Sequence, residues 1–123
     1  MRREGRKHYD LMLWQQAMLL VKHGYEGTRI FPTEEKFGLI SQMRRAAVSV
    51  PSNIAEGAAR QTNKEFVQFL VIARGSLSEL DTQFLLAKDL SFTPGQPELE
   101  NQIDRVFGLL GGRLSSLQNE GKP

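Results

Sequence analysis

The sequence predicts an all-α protein, an antiparallel up-down-up-down four-helix bundle whose second helix is kinked by a proline. Three observations carry this reading. Four segments repeat apolar residues in steps of three and four, the spacing that lines one face of a helix. No segment shows the strict apolar–polar alternation of a half-buried strand. The connections are short and hold proline and glycine residues that stop helices. Amphipathic helices joined by short connections pack most simply as antiparallel neighbours.

In the first segment Asp10 stands where an N-cap belongs. Leu11, Trp14, Met18, Val21 and Tyr25 form the expected core stripe, and the helix is expected to end near Arg29. Pro32 then stops the helix. Thr33 is the expected cap of the second helix, with Glu34 and Glu35 at the positive end of its dipole. Its stripe is Ile40, Met43, Ala47, Val50 and Ile54, in phase across Pro51, which favours one kinked helix over two. The proline removes one backbone hydrogen bond and adds a ring clash, about 3 kcal/mol in a regular helix.

Gly57 and Gln61-Thr62-Asn63 mark the exit, and Asn63 is the expected cap of the third helix. Phe66, Leu70, Ala73, Leu77, Leu80, Phe84 and Ala87 give that helix the most regular stripe in the chain. Pro94-Gly95-Gln96-Pro97 separates it from the fourth, with Leu99, Ile103, Val106, Leu110, Leu114 and Leu117 inward and Gly111-Gly112 weakening its second half. Residues 10–118 are read as the bundle, 1–9 as a basic tail and 119–123 as a polar tail.

Composition narrows the function classes. A chain of 123 residues, 40% apolar and 24% charged, suits one ordinary globular core and argues against disorder. No apolar run approaches the roughly 18 residues that span a bilayer. The N-terminus shows no small-residue cleavage site, so a cytoplasmic protein without membrane association is expected. The absence of cysteine excludes disulfides, thiolate zinc sites and cysteine nucleophiles. Only His8 and His23 are histidines, and no Glu-x-x-His pair, glycine-rich phosphate loop or nucleophile elbow occurs. His23 is expected to face solvent. Glu56 has no second acid or histidine within helical reach, and Ser49-Val50-Pro51-Ser52 has no base. No catalytic residue, cofactor or metal is expected.

Three surface features remain. On the second helix Arg45, Ser49, Ser52, Asn53 and Glu56 form a polar stripe almost opposite the core stripe, a candidate subunit interface or a surface that supports the kink. The third helix is apolar nearly all round. Val67, Val71, Ile72, Leu85 and Leu86 lie outside its core stripe, and Gly75 shares a side with Gln68, Ile72, Glu79 and Leu86, so a second buried face formed by oligomerisation is expected. The net charge of +2 is small, but basic residues cluster: Arg2, Arg3, Arg6 and Lys7 at the N-terminus, and Arg44, Arg45, Arg60 and Lys64 around the second helix. Both groups are candidate phosphate-binding patches.

Phe31-Pro32, the run Gln42-Met43-Arg44-Arg45-Ala46-Ala47-Val48-Ser49-Val50-Pro51-Ser52-Asn53-Ile54-Ala55-Glu56-Gly57 and Arg74-Gly75-Ser76-Leu77-Ser78-Glu79-Leu80 together resemble a bacterial four-helix-bundle family. Its members are encoded in intervening sequences of large-subunit ribosomal RNA genes. The resemblance covers roughly residues 9 to 90. It implies a ring-like homopentamer and a distant kinship to the RNA-binding accessory protein of diversity-generating retroelements, with no established activity. The combined expectation is a non-enzymatic homo-oligomeric module that associates with structured RNA or a ribonucleoprotein. The alternative is a scaffold that docks a protein partner without touching nucleic acid.

Overall fold

The computed structural model describes residues 7–120, and among them there is no strand. Four helices follow in order: α1, Met12–Thr28; α2, Leu39–Ala58; α3, Asn63–Asp89; α4, Pro97–Asn119. Short 3-10 turns, Lys7–Asp10 and Thr33–Glu35, precede α1 and α2. Each helix packs on the next, α2 on α3 most extensively, and α1 closes the bundle against α4.

Individual contacts give the direction of each pairing. Gly24 of α1 meets Ala47 of α2 while Thr28 meets Arg44. On α2 and α3, Ser49 meets Ser76 and Gly57 meets Phe66 and Phe69. Lys88 bonds Glu100 near one end of α3 and α4, and Asn63 bonds Glu120 near the other. Gly27 is joined to Gln96 and Gln16 to Gln102, closing α1 on α4. In every pairing, residue numbers rise along one helix as they fall along its neighbour.

The stripes of α3 and α4 lie in the core residue for residue as the spacing predicts, with Ser76 and Gln102 added. In α2, Met43, Ala47, Val50 and Ile54 are buried and Ile40 is half-buried. The helix runs unbroken through a buried Pro51. Burial of each large aliphatic side chain contributes roughly 1.5–3 kcal/mol.

In α1 the expectation needs correcting. Its buried residues are Leu13, Ala17, Leu20, Gly24 and Thr28, whereas Met18 and Tyr25 are exposed and Leu11, Trp14 and Val21 only flank the core. The true stripe is rotated by about one residue, roughly 100°. The small residues explain the rotation. A Cβ added at Gly24 would sit 3.7 Å from Ala47 Cβ, so α1 approaches α2 through glycine and alanine, and larger side chains flank that contact.

Three helix starts also differ from expectation. Leu11, not Asp10, holds the N-cap position of α1, and Asp10 belongs to the preceding 3-10 turn. Thr33 opens a 3-10 turn instead of capping α2. That helix begins at Leu39, whose amide donates to Glu35 Oε1 at 3.0 Å. Thr62 rather than Asn63 caps α3: its Oγ1 accepts from Glu65 N at 3.2 Å and donates to Glu65 Oε1 at 2.9 Å. The α3 C-terminus closes through Ser91 in the left-handed region, φ 64°, with Phe92 N donating to Ala87 O and Ser91 N to Lys88 O. This is the Schellman pattern with serine where glycine is usual.

Candidate nucleic-acid interface

The break before α2 shapes the surface beside it. Lys36, Phe37 and Gly38 form a turn between the 3-10 segment and Leu39, and Glu35 folds back to bond the first helical amide. A side chain at Gly38 would lie 2.8 Å from Glu35 Oε1, so glycine leaves room for that cap. The turn carries Phe37 clear of the bundle, 90% exposed.

Between this turn and α1 lies an open groove of about 640 Å3 lined by Tyr25, Lys36, Phe37, Ile40, Ser41, Arg44, Arg45, Val48 and Ser49. Three of these residues are cationic and none is acidic. Arg44 is fixed by three contacts: Nε donates to Thr28 Oγ1 at 2.9 Å, a terminal nitrogen donates to Tyr25 O at 3.3 Å, and its guanidinium lies 4.5 Å from the centre of the Tyr25 ring. Lys36 Nζ stands 5.6 Å from the Phe37 ring centre. Lys36 and Arg45 make no ion pair among the described residues. Unneutralised cations beside aromatic rings fit a polyanion with planar groups.

Of the candidate phosphate contacts, Arg2, Arg3 and Arg6 lie outside the described residues, and Lys7 is exposed on the first 3-10 turn. Arg44 and Arg45 share the groove; Arg60 and Lys64 do not. The helix 2 group is therefore not one patch, because the helical rise places Arg60 about 24 Å along from Arg44. Arg60 instead pairs with Glu56 at 3.1 Å and lies 4.8 Å from the Phe69 ring centre.

The polar stripe also proves more inward than its helical position suggests. Ser49 and Asn53 are half-buried. Ser49 Oγ is 2.8 Å from Ser76 Oγ on α3, and Asn53 Nδ2 donates to both Ser49 O and Ser49 Oγ. The exposed Ser52 turns back to Val48 O at 2.8 Å. Arg45, Ser49 and Glu79 meet with Ser76 and Gln83 in a smaller groove of about 320 Å3 between α2 and α3. Gln83 Oε1 is buried there without a hydrogen-bond partner among the described residues. Ile72 and Gly75 remain on the open side of α3, and nothing comes within 4 Å of a Cβ added at Gly75. His23 is not solvated as expected: its side chain is 20% exposed, with Nδ1 4.0 Å from Glu98 Oε2 across α1 and α4.

A family model for 23S rRNA-intervening sequence proteins matches residues 9–112. The chain belongs to that family. In this intervening-sequence protein the matched span contains the whole Tyr25–Ser49 groove and all of α1, α2 and α3. A search of curated proteins finds no match to it.

In the intervening-sequence protein Tyr25, Lys36, Phe37, Ile40, Ser41 and Val48 line the groove without having been candidate site residues in the sequence. Tyr25 was assigned to the core, and Phe37 sits three residues before Ile40, in phase with the α2 stripe. The signal available in the sequence was Gly38, a helix-weakening residue between Phe37 and that stripe. Among the described residues no group of three or more histidine, cysteine or acidic side chains is placed to hold a metal ion. None of their helices is long and apolar enough to cross a membrane.

Proposed function

We propose that the protein is a non-enzymatic, homo-oligomeric module that binds structured RNA or a ribonucleoprotein through the cationic groove between α1 and α2. One observation carries the RNA reading: Lys36, Arg44 and Arg45 line a single 640 Å3 groove with no carboxylate among its lining residues. The family's connection with ribosomal RNA genes supports the same partner class. A groove with three cations binds a polyanion weakly on its own. Repetition around an oligomer raises the apparent affinity, and neutralising several phosphates makes it fall steeply with salt.

The outer side of α3 supports assembly. Val71, Ile72, Leu85, Leu86 and Leu90 are all between 43% and 59% exposed, an apolar surface for which the single chain provides no cover. The proposed assembly is a ring of five copies, the state that the family resemblance implies.

The test is an electrophoretic shift of ribosomal RNA fragments at low ionic strength with wild type and with Lys36→Glu/Arg45→Glu. Binding that weakens with salt and is lost in the double variant is expected. Absence of a salt-sensitive shift, or an unchanged shift in the double variant, sinks the RNA reading. Ile72→Glu should reduce the mass measured by light scattering if α3 is the assembly face.

A further inference from the structure

We infer that the groove takes an unpaired nucleotide, whose base stacks on Phe37 while its flanking phosphates meet Lys36, Arg44 and Arg45. This rests on the RNA reading above and specifies the kind of RNA the groove accepts.

Phe37 carries the argument. The ring stands 90% exposed at the rim of the groove and is not isolated there: Tyr25 and Val48, 38% and 41% exposed, line the same groove and extend the apolar surface. The turn holds Phe37 there: Gly38 separates it from α2, and the Glu35 carboxylate on the Leu39 amide fixes where that helix begins. A planar partner with a π-face would cover the ring, and every nucleobase has one.

The charges around the ring specify what accompanies the base. Lys36 Nζ is 5.6 Å from the Phe37 ring centre, so a base on Phe37 brings its own phosphate close to the ammonium group. Arg44 and Arg45 lie further along the same groove. Arg44 already donates to Thr28 and Tyr25, which leaves guanidinium N–H groups for a phosphate oxygen. The groove, about 640 Å3 and open to solvent, has room for a nucleotide.

A duplex could use the cations but not the ring, because its bases are stacked on one another and present only their edges. Single-stranded loops, bulges and ends expose base faces, and structured RNA offers them between its helices.

The experiment compares fluorescence-anisotropy titrations of an unstructured oligouridylate and a blunt RNA duplex of equal length, using wild type, Phe37→Ala, Phe37→Trp and Lys36→Glu/Arg45→Glu. Wild type should prefer the single strand. Phe37→Ala should weaken single-strand binding about 5- to 150-fold, the range for losing one base–aromatic stack, with little effect on the duplex. Phe37→Trp should retain binding. Because the ring is exposed, Phe37→Ala leaves the core intact, and its melting temperature checks this. Equal affinity for both RNAs, or unchanged single-strand binding by Phe37→Ala while the double charge variant loses binding, overturns the inference and leaves the cationic reading standing. Loss of assembly in Phe37→Ala, seen by light scattering, would assign the ring to a contact between copies and also overturn it. If wild type binds neither RNA, the underlying reading fails together with the inference.

Discussion

Gly57 offers the sharpest quantitative test of how α2 and α3 meet. A Cβ placed there would lie 2.7 Å from Phe69 Cβ, 2.9 Å from Phe66 Cδ1 and 3.4 Å from Phe66 O. The first neighbour is the root of a side chain and the last is backbone, so Gly57→Ala cannot be relieved by a rotamer change alone; the helices must separate locally. Overpacking of this kind costs about 1–3 kcal/mol. The change from glycine to alanine returns up to about 1 kcal/mol through helix propensity and the unfolded chain. Gly108 isolates that second contribution, because it lies within α4, is exposed, and has nothing within 4 Å of an added Cβ. Gly108→Ala should therefore stabilise, and Gly57→Ala should fall below it by about 1–3 kcal/mol. For a domain of this size that is a gap of roughly 4–12 °C in melting temperature. Thermal unfolding followed by circular dichroism, at matched protein concentrations, measures both. A Gly57→Ala protein that melts at or above Gly108→Ala would refute the close approach on which the α2–α3 packing rests.

Two further outcomes follow from the helix ends. Thr62→Ala should lower stability by about 1 kcal/mol in urea unfolding, because the hydroxyl that accepts from Glu65 N is lost; an unchanged midpoint would show the cap to be immaterial. Ser91→Gly should raise stability by about 1 kcal/mol, since an exposed serine at φ 64° occupies a region that costs non-glycine residues roughly that much; a lower melting temperature would contradict the Schellman closure of α3.

How much was legible in the sequence differs from helix to helix. The stripes of α3 and α4 were readable because Leu70, Leu77, Leu80, Ile103, Val106 and Leu110 leave little doubt which face is buried. In α1, apolar residues occupy two adjacent faces, and the choice between them is made by Ala17 and Gly24, whose smallness matters only once α2 is alongside. Helix starts were misplaced by one to several residues because each cap depends on a local competition. Thr62 prevails over Asn63 through its bond to Glu65, and Glu35 holds the start of α2 at Leu39, six residues beyond Thr33.

The candidate site was half legible. Arg44 and Arg45 stood out as charges, but the groove that they share with Lys36, Phe37 and Tyr25 exists only after α1 and α2 pack. The distance from Arg44 to Arg60 was also hidden, since charges that look clustered along the chain are spread by the rise of a helix. The inward position of the polar stripe was hidden for a related reason: Ser49 and Asn53 lie opposite the core stripe on a helical wheel, yet Ser49 meets Ser76 on α3 and Asn53 bonds back to Ser49.

The attachment of Arg44 to α1 bears on how the groove would select its ligand. A long cationic side chain ordinarily surrenders rotamer freedom when it grips a phosphate, about 0.5–1.5 kcal/mol for each immobilised chain. Arg44 has already surrendered it during folding, to Thr28 and the Tyr25 ring, whereas Lys36 and Arg45 make no side-chain hydrogen bond or ion pair among the described residues. The groove thus has one stationary charge and two that adapt. If the groove takes a strand as proposed, the stationary charge would set the register of that strand, and the other two would adjust to it.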